Sequence, residues 1–166
     1  MIGDGAVRIT TGALNNQSGG RLTSADLLEL TAGQVDNRFD GHIASNKALT
    51  ASLTGLDQRN GGQLYSTSDL SLDMNLGALN NAGGLIHAPG QLLLKNLASV
   101  ANQHGEISSE RSFVLAAQSL DNSDGHVLSD QALTLKVDQA LINLKGVIAA
   151  AGLTAQAERL DNTSGV

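Results

Sequence analysis

Apolar residues along this chain come in short bursts that alternate with polar or small ones, the period of a half-buried strand. In residues 120–135 the bursts read Leu120-x-Asn122, Gly125-x-Val127-x-Ser129 and Leu133-x-Leu135. The same three bursts recur from end to end, and that repeat governs everything else the sequence implies. The glycines Gly20, Gly41, Gly62, Gly84, Gly105, Gly125, Gly146 and Gly165 stand 21, 21, 22, 21, 20, 21 and 19 residues apart.

Two places after each Gly lies Leu22, Ile43, Leu64, Ile86, Ile107, Val127 or Ile148, and four places after it Ser24, Ser45, Ser66, Ala88, Ser109, Ser129 or Ala150. A Leu-x-Leu column follows, through Leu28, Leu49, Leu70, Leu92, Phe113 and Leu133, with Leu153 one place early. Its second position holds Leu30, Ala51, Leu72, Leu94, Leu115, Leu135 and Ala155. Ahead of each Gly stand Leu14, Val35, Leu56, Leu79, Val100, Leu120, Leu141 and Leu160. Two places further come Asn16, Asn37, Gln58, Asn81, Asn102, Asn122, Asn143 and Asn162.

The full coils run over residues 14–34, 35–55, 56–78, 79–99, 100–119, 120–140 and 141–159, with an eighth begun at 160. The third is two residues longer than the second, with the excess around Asp73-Met74-Asn75-Leu76, which marks a protruding corner. Pro89 falls at a strand end, where a missing N–H is tolerated, and Phe113 in a Leu column requires local repacking. The gaps between bursts, three to five residues, are too short for a helix.

Three short strands per coil, each stacked on its counterpart in the next, predict an all-β fold. It is a parallel β-helix, or solenoid, of about eight coils with a period near 21 residues. Crossover chirality favours right-handed winding. A leucine-rich repeat has a similar period and an Asn column, but it needs a Leu two places after the Asn. Here the next core aliphatic lies five or six beyond. One coil cannot fold alone, because its few buried aliphatics do not offset the entropy of ordering a whole turn. Residues 1–166 are thus expected to form one repeat segment, a fragment of a longer filament with no visible signal peptide at Met1.

Composition narrows the functions. Aromatics make up 2% of the chain, too few for an ordinary globular core but enough for a narrow stacked one. A net charge of -6 without a basic cluster argues against nucleic acid. The lack of Cys rules out disulfides and thiolate metal sites. No apolar run reaches membrane-spanning length.

The unit Leu-Asp-Asn-x-x-Gly-x-Val-x-Ser-x-x-x-Leu-x-Leu at residues 120–135, and its near copy Leu79-Asn80-Asn81-Ala82-Gly83-Gly84-Leu85-Ile86, resemble a known repeat. It is that of filamentous haemagglutinins and contact-dependent growth inhibition exoproteins. The resemblance implies a right-handed β-helical filament on the surface of, or secreted from, a Gram-negative bacterium. It also implies export by two-partner secretion through an outer-membrane β-barrel transporter. A shaft that carries an adhesive or toxin region is the role implied, with no cofactor.

Candidate sites are few. The column Asn16, Asn37, Asn81, Asn102, Asn122, Asn143 and Asn162 reads as a structural stack of inward amides at a corner. The repeat glycines Gly20, Gly41, Gly62, Gly84, Gly105, Gly125 and Gly146 suit tight corners. Beside the Asn column, Asp36 and Asp57 lie about one strand spacing (~4.8 Å) apart and could hold a cation. Ala101 and Ile142 interrupt their row, which favours turn-stabilising Asx contacts instead. His42, His87, His104 and His126 lack metal-pair spacing and read as solvated. Arg21, Arg38, Arg59, Arg111 and Arg159 look scattered, without acidic partners in register, which argues against a polysaccharide-degrading site. Asn16 and Asn162 begin glycosylation sequons of little weight in so Asn- and Ser-rich a chain. The alternative to a shaft is a sheet face that itself binds a glycan or protein receptor, for which Tyr65 is the one outward aromatic.

Overall fold

The computed structural model describes residues 1–166 and consists of strands and turns, with no helix. Every strand pairing is parallel and joins residues about one repeat apart. Three ladders result. The Gly ladder stacks Leu22, Ile43, Leu64, Ile86, Ile107, Val127 and Ile148. The Leu ladder stacks Val7, Leu28, Leu49, Leu70, Leu92, Phe113, Leu133 and Leu153. The Asn ladder stacks Leu14, Val35, Leu56, Leu79, Val100, Leu120, Leu141 and Leu160. The chain is a β-solenoid of about eight turns, and the aliphatic columns of the sequence are its pairing registers.

Alternation puts one side chain of each pair inside and its neighbour outside. The inward set forms one core cluster of 31 buried residues. Phe113 is wholly buried between Leu92 and Leu133, so the wide ring is absorbed within the column.

Two features depart from the expected three short strands per coil. The Leu-x-Leu burst and the Leu-x-Asn burst that opens the next coil usually belong to one continuous strand, as in Leu28–Asp36, Leu70–Asn80, Leu92–Ala101 and Phe113–Asp121. In His126–Val137 and Val147–Gln156 it is the Gly burst and the Leu-x-Leu burst that merge. Pairing persists through these bends because both coils turn together, so neighbouring carbonyls still find neighbouring amides. The bend also carries a further buried column that the sequence did not reveal: Ala32, Leu53, Met74, Leu97, Ala117 and Val137. Its residues vary too widely in size to read as a repeat, small in some coils and large in others.

The long third coil puts its extra residues at this bend. Asn75 and Leu76 have φ of 47° and 65°, and Leu76 is 67% exposed while Met74 fills the core. Left-handed backbone is costly for a branched apolar residue, and Asn75 offsets part of that cost. Its Nδ2 donates to Ser52 Oγ and to the Leu53 carbonyl, each at 3.0 Å.

Candidate functional site

The chemistry-bearing groups gather along three lines that run parallel to the solenoid axis. The first is the Asn corner. Asn16 Nδ2 donates to Asn37 Oδ1 at 2.8 Å, and Gln58 Nε2 to Asn81 Oδ1 at 2.6 Å. Asn81, Asn102, Asn122 and Asn143 each donate to the next amide, ending at Asn162, at 2.7 Å. The same Nδ2 atoms also donate to backbone carbonyls, as from Asn122 to Gly125 and Val147 at 3.1 and 3.2 Å. These side chains are buried from Asn16 to Asn143. A buried amide without partners would be costly, and a one-directional row of donors and acceptors satisfies nearly all of them. The exception is Gln58 Oε1, which is buried and has no partner. Asn16 is tied into this row, which takes its sequon out of reach.

The repeat glycines serve the same corner, for a reason other than backbone freedom. The left-handed residue stands just before each of them: Gly19, Asp40, Gly61, Gly83, His104, Asp124, Lys145 and Ser164. The repeat glycine is required by close approach. A Cβ on Gly125 would lie 2.0 Å from the Asn102 carbonyl oxygen and 2.7 Å from Asn122 Oδ1. Gly105 and Gly146 meet the equivalent atoms at 2.2 and 2.1 Å. Gly20, Gly41, Gly62 and Gly84 meet Asn or Gln carbonyl oxygens at 2.4 to 2.5 Å. Gly and Asn are therefore two halves of one joint.

Outside the amide row runs the Asx column. Asp121 Oδ1 accepts from the amide of Ser123 at 3.0 Å, and Asn80, Asp36, Asp57 and Asp161 accept from the residue two ahead in the same way. Asp36 and Asp57 are not free to face a cation, because each is chelated by an arginine. Arg38 Nε and Nη2 donate to Asp36 at 2.9 and 2.7 Å, and Arg59 holds Asp57 at the same distances. Arg38 Nε also lies 3.8 Å from Asp57 in the next coil. The expectation that no arginine has an acidic partner in register is thus wrong for these two. An i, i+2 pair in extended chain shares one face, so Asp36-x-Arg38 and Asp57-x-Arg59 are in register by construction. The guanidinium of Arg38, bound to its carboxylate, holds the Asp36 pKa below its usual range.

The second line is the Ser corner, where sequence reasoning saw only small residues. Ser45 Oγ lies 2.5 and 2.9 Å from the Asp26 and Ala48 carbonyl oxygens, which share its one proton, and accepts from the Lys47 amide at 3.2 Å. Ser24, Ser109 and Ser129 repeat this geometry. The hydroxyl bridges two coils and closes its own turn, a combination that Ala88 cannot supply.

The third line lies on the outer face of the Gly ladder. Tyr65 and His87 are paired in register and their rings stack, with centroids 5.7 Å apart and planes 15° from parallel. His87 Nδ1 lies 2.9 Å from Ser108 Oγ, which donates to Glu106 at 2.7 Å. His42 Nδ1 lies 3.1 Å from Gln63 Oε1. His87 is therefore half-buried and stacked rather than simply solvated, and His104 serves as a left-handed corner residue. The Glu106, Ser108 and His87 order does not make an activated nucleophile. The one hydroxyl proton of Ser108 goes to Glu106, so His87 Nδ1 must donate to Oγ instead of drawing its proton.

Arg21, Arg111 and Arg159 make no ion pair. The haemagglutinin repeat family model matches residues 2–41, 30–97, 71–146 and 132–166, which together tile the chain. No curated protein and no solved structure matches it.

Proposed function

Because this chain belongs to the haemagglutinin repeat family along its whole length, we propose that it is a non-catalytic length of shaft in a large bacterial exoprotein. Haemagglutinin repeats are typical of secreted or surface-exposed bacterial proteins. The shaft would set a binding or toxin region at a distance from the cell. The observation that carries this reading is the uniformity of the ladders: the same inward columns run through every coil, so length is what the repeat adds. During export an outer-membrane transporter of the two-partner type would be its partner.

A second reading, adhesion by the rod itself, is favoured by one observation. The Tyr65–His87 stack with Glu106, Ser108 and Gln63 beside it offers ring surface and polar groups together, as a receptor glycan would require. Beads coated with the 166-residue chain, mixed with candidate target cells, separate the two. A shaft gives no retention above bare beads. Retention that Tyr65→Ala abolishes would replace the shaft reading with direct adhesion.

A further inference from the structure

One coil boundary is built differently from the rest. At six of the seven boundaries between the first and eighth coils, an amide donates to the amide of the next coil at 2.6 to 2.8 Å. Between the second and third, Asn37 Nδ2 donates to the Gln63 carbonyl at 3.0 Å and makes no bond to the side chain of Gln58. Gln58 Oε1, the atom that should accept, is the unpartnered buried oxygen. The physical cause is one methylene. Gln58 reaches forward to Asn81 at 2.6 Å, and its longer side chain cannot also present its oxygen to the coil behind.

The strand is interrupted at the same level, although the Thr54 amide still donates to the Gly33 carbonyl at 3.0 Å. The strand that is continuous in neighbouring coils is here split into Leu49–Ser52 and Gly55–Asp57. Gln34 bridges the gap with two long contacts, 3.4 and 3.5 Å, to Thr54. Outside this plane, and at no other level of the Asn corner, stands a row of alternating charges: Asp36, Arg38, Asp57, Arg59. Only the Arg38–Asp57 contact in that row crosses the boundary, at 3.8 Å between side chains each 31% exposed. Contacts of that kind are screened by salt, whereas buried amide bonds are not.

We propose that the boundary at Asn37 and Gln58 is a built-in opening plane of the rod, where a salt-sensitive surface clamp replaces the buried amide bond found elsewhere. At low ionic strength the clamp holds the first two coils on the remainder. At high ionic strength the rod hinges or parts there first.

Amide hydrogen exchange of the full chain, read by mass spectrometry or NMR, tests this. The boundary between Asn122 and Asn143 is the control, since it too lies two coils from an end. The amides of Asn37, Phe39 and Gln63, which bond to Asp57, Arg59 and Gly41, cross the proposed plane. Those of Asn122, Asp124 and Val147, bonded to Ile142, Leu144 and Gly125, cross the control. The first set is expected to exchange about fivefold faster, the effect of one lost net hydrogen bond. The ratio should widen between about 0.01 M and about 1 M sodium chloride. Gln58→Asn should bring the ratio close to one at both salts. Arg38→Gln, which spares the core, should give the high-salt ratio already at low salt. Equal exchange at the two boundaries, a ratio indifferent to salt, or a Gln58→Asn variant that keeps the difference would each overturn the proposal.

Discussion

At the scale of single residues the solenoid depends on joints where a side chain and a missing side chain meet. Asn122 and Gly125 form one such joint. Asn122→Ala removes a buried donor and acceptor and leaves Asn102 and Asn143 each short of a partner, at an expected cost of roughly 1–3 kcal/mol. His126→Ala, on the exposed side of the same corner, should change stability little. Urea unfolding followed by circular dichroism measures both, and similar losses would show that the amide row carries no special weight. The glycine half is tested by contrast. Gly125→Ala drives a methyl into the Asn102 carbonyl and Asn122 Oδ1, so overpacking of about 1–3 kcal/mol or more is expected. Gly152→Ala meets nothing within 4 Å at ordinary φ, and should be neutral or slightly stabilising.

At the scale of elements, the ladders differ in what braces them from outside. The charged row beside the Asn ladder gives that corner a defined pH dependence. Hydrogen bonding to Arg38 lowers the Asp36 pKa in the folded state, and Asn96 acts likewise on Asp73. A carboxylate whose folded pKa is depressed adds stability that is complete above its unfolded value of about 3.9 and is lost as pH falls through the folded value. The stability gap between the parent chain and Asp36→Asn should thus be constant from neutral pH to about pH 5, then close below about pH 4. A gap that widened on acidification would reverse the sign assigned to Asp36. This row also shows what the sequence could and could not say. Columns of one residue type, such as Leu or Asn, are legible because each coil repeats the same burial. The bend column Ala32, Leu53, Met74, Leu97, Ala117 and Val137 was not, because only its summed volume with neighbouring side chains matters. The Arg–Asp row was missed for another reason. It exists in two coils only, and a search along columns of the full repeat passes over a motif that is repeated once. The Gln58 defect was visible as the one Gln among Asn, yet its consequence follows only from the direction of the amide bonds.

At the scale of the molecule, the repeat makes length separable from fold. Each coil contacts only its neighbours, so stability is the sum of coil and interface contributions. Removing residues 100–119 joins Ser99 to Leu120, the residues that flank equivalent positions in the pairing of Ser99 with Ser119 and Val100 with Leu120. Leu94 then meets Leu135, Leu92 meets Leu133 in place of Phe113, and Asn81 can donate to Asn122. The shortened rod should fold, lose about one strand spacing (~4.8 Å) of its length, and melt only modestly lower because one interface is gone. Removing residues 100–109 deletes half a coil and brings the Leu-x-Leu burst to the Asn corner. Leucines would then face the amide row, glycines would leave their carbonyl contacts, and strand edges would stand unpaired and prone to aggregate. Soluble yield, circular dichroism and melting of the two deletions side by side decide the matter. A half-coil deletion that survives better than the whole-coil one would mean that the solenoid is not built from interchangeable layers, and a spacer role would lose its physical basis.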